Sequence, residues 1–421
     1  VVESSTDLDD ATRLGHLAAL TAWSSVARNS APDKDRQRAL ADRALELAER
    51  VEGRPDLMAL ATLAMRLAHA DPAGLAQRLE LGPRMHEAAQ AAGWTELVVV
   101  GMVLDVVDRL EAGQADAARA RIDELEDEIV PFHRPLFDAY HLFLAAAVAQ
   151  MEGRHAEAEA LSARADELGE VSHADNARHA RAGQQFMLAR DLGYSGELAP
   201  LTAAMVEAYP TLAVWLTAHA TTSAAAGDLD GARAVIEQLY ATDGLAVRDS
   251  TWSTTVTQLA EVCWLVGDEA RCAELATALE PIADHMAVTG MGAVCLGYLH
   301  RPRGLALAGA GDLDGAVAEL TLAIERSEPA GIDLWLARSL AERALVLDQR
   351  AAPGDAEQAA ADRARAAELA HRLGVHLALG TEEYPLGDAD PIGAGVGVGV
   401  GVGAGVGGAG ADGATDVGSA G

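Results

Sequence analysis

The chain has 421 residues, half of them apolar and only 4% aromatic, a composition that can bury a core and that excludes a wholly disordered protein. Lys plus Arg total 32 against 64 for Asp plus Glu, a net charge of −32, so the summed field repels polyphosphate and anionic headgroups and excludes nucleic acid and an acidic membrane surface as direct partners. The length allows two or three compact domains or one elongated array.

From the N-terminus, Val1-Val2-Glu3-Ser4-Ser5-Thr6-Asp7 has neither a basic segment nor an apolar run, so no secretory signal is read there. It also lacks a Met, which reads as a piece of a longer chain. The longest apolar stretch, Leu97 to Leu104, is broken by Asp105, well short of the ~20 residues of a membrane span. A soluble protein is expected. The three cysteines, Cys263, Cys272 and Cys295, form neither a disulfide framework nor a zinc-binding CxxC pair, so they read as core hydrophobes in a reducing cytoplasm.

A phrase then recurs along the chain, in which an apolar helix ends at Gly, a polar or acidic residue follows, and an Ala-rich amphipathic helix begins. Its clear copies start at Gly113, Gly153, Gly227, Gly267, Gly311 and Gly354, separated by 40, 74, 40, 44 and 43 residues, with a weaker copy at Gly193 to Leu198 inside the long gap. Earlier copies are read at Asp71-Pro72-Ala73 and at Asn29 to Asp33. Gly supplies the left-handed conformation after a helix, and Asp accepts the free N–H groups of the next one. Apolar stripes at helical spacing accompany the joints: Leu40, Ala44, Leu47, Ala48 and Val51, then Leu229, Ala232, Val235, Ile236 and Leu239.

Such a period is the mark of stacked helix pairs, slightly longer than the 34 residues of a tetratricopeptide unit. The expected fold is therefore all-α: a right-handed α-solenoid of about nine tetratricopeptide-like hairpins over residues 1–380. Pro55, Pro200, Pro210 and Pro353 fall near the joints, and Pro302 is expected to kink a helix. From 381 to 421 the chain turns to a Gly, Val and Ala run, which reads as a disordered, flexible tail. Its Gly405 to Gly410 satisfies GxGxxG but lacks the strand and helix that a dinucleotide site needs.

No catalytic constellation emerges. The thirteen His show no HExxH, and Asp228-Leu229-Asp230-Gly231 and Asp312-Leu313-Asp314-Gly315 lack the closing Glu of a calcium loop and read as helix caps. No cofactor or metal is expected. The acidic run Asp123 to Glu128 reads as a solvated helix face. The candidate binding residues are large polar and aromatic side chains on the first helices of pairs, which line the concave groove of such solenoids: Arg134, Tyr140, His141, Arg178, Arg181, Trp215, His219, Arg248 and Trp252. The competing reading is core packing for Trp and surface solvation for Arg. Arg301 and Arg303, in a locally basic Tyr298-Leu299-His300-Arg301-Pro302-Arg303, read either as an anion or domain contact or as a kinked helix with salt bridges.

Leu279-Glu280-Pro281-Ile282-Ala283, Gly297-Tyr298, Arg303 to Ala308, Gly311 to Ala316 and Gly331 to Arg338 stand in an order that resembles the tetratricopeptide-like C-terminal region of actinobacterial signalling ATPases of the STAND type. The resemblance covers most of residues 10 to 375. It implies a sensor or scaffold attached to an ATPase module and to a LuxR-type or class III cyclase output. The implied role is a non-catalytic, protein-binding or effector-sensing module, with a protein partner, the attached ATPase or a small effector as its ligand. The alternative is a passive part of a full-length ATP-binding transcriptional regulator or nucleotide cyclase.

Overall fold

The computed structural model describes residues 10–26, 34–172, 175–242, 245–246 and 248–377. Eighteen α-helices account for most of them. The first half runs α1 (Asp10–Val26), α2 (Lys34–Glu49), α3 (Pro55–Ala68), α4 (Leu75–Ala92), α5 (Thr95–Glu111), α6 (Ala115–Ile129), α7 (Pro135–Met151), α8 (His155–Val171) and α9 (Asp175–Asp191). The second runs α10 (Ala199–Ala208), α11 (Ala213–Ala225), α12 (Leu229–Ala241), α13 (Trp252–Val266), α14 (Glu269–Leu279), α15 (His300–Gly309), α16 (Leu313–Ser327), α17 (Asp333–Arg350) and α18 (Asp355–Leu373). Consecutive helices pack on one another along the chain, as an α-solenoid requires. Asn29 to Asp33 and the tail from 381 lie outside the described residues.

The joints are built as their sequence predicts. Gly113, Gly153, Gly193, Gly227, Gly267, Gly311 and Gly354 all have φ between +72° and +90°, and each ends a helix or begins the next. Asp228, Asp268 and Asp312 accept from the backbone N–H of Gly231 (2.8 Å), Arg271 (3.1 Å) and Gly315 (2.9 Å). In the duplicated Asp-Leu-Asp-Gly the Gly has a steric purpose, because a Cβ at Gly231 or Gly315 would collide with the capping carboxylate. These carboxylates are helix caps. Pro302 sits in the first turn of α15, where its missing N–H costs nothing, so no kink is needed there. Among the described residues, Pro83 of α4 is the proline that lies inside a helix beyond its first turn.

Arginines pin one helix pair to the next. Arg38 of α2 reaches Asp71, Arg78 of α4 reaches Glu111, and Arg119 of α6 reaches Glu152, each 33 residues further on. Arg233 of α12 donates to the Val266 carbonyl at the same separation, 2.8 Å away. The guanidinium fork holds two partners at once, as in Arg119, which also pairs with Asp116, and this suits Arg better than Lys.

The chain is all-helical as expected, with one exception among the described residues. After α14 a short 3-10 turn leads into two antiparallel strands, β1 (Met286–Val288) and β2 (Cys295–Tyr298), with Met286 opposite Tyr298 and Val288 opposite Cys295. Three glycines at positive φ, Gly290, Gly292 and Gly297, with Val288 and Thr289 before them and Val294 between, rule out a helix here. Every strand residue is buried. β1 packs on α5 and α13, and β2 on α7 and α16, so the hairpin sits between early and late parts of the array. One apolar core consequently runs from Ala59 to Leu377, and the first two helix pairs hold a second.

The caps make a stability prediction. Asp312→Ala is expected to lower unfolding stability by about 1 kcal/mol, read from the urea midpoint. Asp314→Ala, two residues on and 89% exposed, is expected to leave that midpoint almost in place.

Candidate functional site: a buried polar spine

Helices that pack through apolar stripes have no reason to carry polar or charged groups inside, yet several of the odd-numbered ones do so in register with the repeat. Gln150 of α7 donates to Asp191 of α9, 41 residues on, at 3.1 Å. Arg301 of α15 reaches back 40 residues to Glu261 of α13 and forward 41 to Glu342 of α17. Arg66 of α3 pairs with Asp108 of α5 in the same way. All these side chains are buried.

The spine then crosses the array. Arg338 of α17 donates to Asp191 at 2.8 Å, 147 residues away in sequence, and Arg190 of α9 pairs with Glu261 at 2.8 Å. Asp191 is fully buried; its other oxygen takes Gln150 and lies 3.2 Å from His155 Nε2, while His155 Nδ1 lies 2.7 Å from the Gly153 carbonyl. The Asp191 carbonyl accepts from the His376 N–H at 2.6 Å. Between the two ion systems stands Trp335, 1% exposed, with the guanidinium carbons of Arg301, Arg338 and Arg190 at 5.2, 5.7 and 5.9 Å from its ring. Its Nε1 donates to the Cys295 carbonyl of β2 at 3.1 Å. Gly297 makes that approach feasible, since a Cβ there would lie 2.7 Å from the indole.

The electrostatics follow from this pairing. Burial opposes ionisation of Glu261, but Arg190 and Arg301 hold its carboxyl down to about 2. Burial likewise works against Asp191, and His155 with Arg338 keeps it below the usual carboxylate range. Against its own burial, the Asp191 partner raises the His155 imidazole. Such groups cost several kcal/mol each to desolvate, so the arrangement stands only while the partners are in place. Its chemistry is recognition between distant parts of one chain.

The residues predicted from sequence fall into three environments. Trp215 and Trp252 are buried, 7% and 4% exposed; Trp215 stands 6.1 Å from the His179 ring, and Trp252 donates to the Leu245 carbonyl at 3.1 Å. Arg301 is inside the spine, and Arg303 pairs with Glu319 and donates to the Ala276 carbonyl, so the salt-bridged reading of that basic cluster describes it. Tyr140, His141 and His219 are half-buried, His219 with Nδ1 3.1 Å from Thr202 Oγ1, and burial lowers both histidines and raises Tyr140. Arg181 holds Glu159 through two bonds of 2.9 and 2.6 Å. Arg134, Arg178 and Arg248 are exposed; Arg134 pairs with Glu96 at 2.6 Å, and Arg248 covers the Trp252 ring at 4.6 Å.

Sequence reasoning missed His155, Arg190, Asp191, Glu261, Trp335, Arg338 and Glu342. For Asp191, Glu261 and Glu342 the signal available was a polar residue on an apolar stripe lying 40 or 41 positions from another, Gln150 or Arg301. The cysteines are buried thiols as expected, with Cys272 and Cys295 pushed up to about 12 by burial, and the Asp123 to Asp127 carboxylates face solvent. Among the described residues no helix is long and apolar enough to cross a membrane. No protein-family model and no curated protein matches the chain, so the functional reading stands on the geometry.

Breaking the crossing pair should be costly. Arg338→Met leaves the buried Asp191 without its guanidinium and is expected to lower stability by about 3–5 kcal/mol in urea unfolding. Removing Arg164, which pairs with Glu167 at the surface, is expected to leave the midpoint nearly unchanged. Similar shifts for both would mean that Asp191 and Arg338 do not hold the two parts together.

Proposed function

We propose that the chain is a non-catalytic helical-repeat module that senses a small effector or binds a protein segment, and that it works in the cytoplasm within or beside a STAND-type signalling ATPase. On this reading it is a right-handed α-solenoid of nine tetratricopeptide-like hairpins, α1 with α2 through α17 with α18. The observation that supports its helical-repeat architecture is the polar register: buried hydrogen-bonding residues on α7 and α9, on α11 and α13, and on α13, α15 and α17 meet at separations of 40 or 41 residues, as stacked units of one kind would place them.

The β-hairpin covers parts of α5, α7, α13 and α16, and Trp215 and Trp252 belong to the core. The contact surface is therefore assigned to the edge where the odd helices begin, and Arg134, Arg178 and Arg248 stand at the starts of α7, α9 and α13. Arginine is well suited to that task, since its planar fork matches carboxylates and its stem covers apolar surface.

Titration calorimetry and chemical cross-linking against the cognate ATPase module that this reading requires test the proposal. Specific association is expected, and Arg248→Ala should weaken it by roughly 1 kcal/mol, about fivefold. Absence of association, with no effector found by thermal-shift screening, overturns the reading. Unchanged affinity in Arg134→Ala, Arg178→Ala and Arg248→Ala together overturns the assignment to that edge.

A further inference from the structure

A second crossing lies between α5 and the segment that follows α14. Glu111, at the end of α5, gives one carboxylate oxygen to Arg78 of α4. Its Oε1 is buried without a hydrogen-bond partner and faces His285 Nδ1, likewise buried and unpartnered, across 4.0 Å. His285 opens the β-hairpin, and its carbonyl accepts from the Leu299 N–H at 2.9 Å. The 3-10 turn at Pro72–Gly74 touches the one at Glu280–Ile282 beside it. Two buried polar atoms with no other partner, on parts of the chain far apart in sequence, meet only because the array folds back.

We propose that Glu111 and His285 form a pH-sensitive polar clasp, which fastens the β-hairpin to the first half of the array and makes the hold depend on proton concentration.

The surroundings set its sign. Glu111 faces Arg78 of α4, Asp108 of its own helix and Asp71 of the preceding turn, with Arg66 of α3 and Arg38 of α2 in turn paired to Asp108 and Asp71. Burial is the largest influence and, against Arg78 and with some help from Asp108 and Asp71, pushes its carboxyl up to about 7. His285 faces Arg78 and Asp284, the latter held by Arg326 of α16 and His300 of α15, and burial and then Arg78 lower it. A carboxyl raised on folding keeps its proton longer in the folded state, so its contribution is complete below the unfolded value of about 4.3 and is lost as pH rises through about 7. A histidine lowered on folding acts oppositely, adding stability as pH rises toward about 6.5. The two slopes cancel where the pair holds one proton, and above that window only the loss from Glu111 remains.

Amide hydrogen exchange on the full chain, expressed as protection factors for residues 285–298 from pH 5.5 to 8.5, tests the clasp. In the unmodified protein protection is expected to fall about threefold between pH 6 and 8, nearly all of it above about pH 6.5. Glu111→Gln should abolish that fall and leave only the rise below pH 6.5 that His285 produces. His285→Gln should keep the fall and extend it to lower pH. A flat profile in the unmodified protein, or the same fall in Glu111→Gln, overturns the proposal. If Glu111→Gln fails to fold, the unmodified and His285→Gln profiles decide, and identical profiles in those two overturn it as well.

Discussion

One carboxylate, that of Asp191, holds together parts of the molecule that helix stacking alone would leave apart. It takes Arg338 from the last helix pair and Gln150 from two helices earlier, and it lies against His155, while its main-chain oxygen takes the N–H of His376. An open array needs only contacts between neighbours. Here the far end also answers to the middle, and the answer is given by buried charge, which is directional and fails sharply when a partner is missing. Trp335, with three guanidinium groups about its ring and the Cys295 carbonyl on its nitrogen, fixes where β2 lies relative to the same crossing.

The joints were legible because their chemistry is local. Gly in the left-handed region and Asp three residues before an N–H act within one turn of chain, so Gly227-Asp228 and Gly311-Asp312 announce themselves without knowledge of the rest. The helical stripes were legible for the same reason. The β-hairpin was not: residues 286–298 mix small, β-branched and glycine residues in a run too short for either periodicity to show, and only the floor formed by α5, α7, α13 and α16 decides their conformation.

The spine lies between these cases. Gln150 with Asp191, and Glu261 with Arg301 and Glu342, are visible in the sequence at the interval of the repeat, but a buried Arg and an interfacial Arg look alike until their partners are known. Arg301 and Arg248 show the difference, the first enclosed by Glu261 and Glu342, the second exposed over the face of Trp252. Trp215 and Trp252 resisted for a related reason, since an indole large enough to anchor a partner is also large enough to fill the space between two helices.

A helical array whose units touch only their neighbours can gain or lose a unit by recombination and still fold, which is how such families drift in length. The reach from Arg338 back to Asp191 removes that freedom. Inserting or deleting one helix pair between them would carry the guanidinium past its carboxylate by a whole unit and strand both charges in the interior. Descendants of this gene are thus constrained to keep the same number of pairs between α9 and α17, even where individual surface residues change freely.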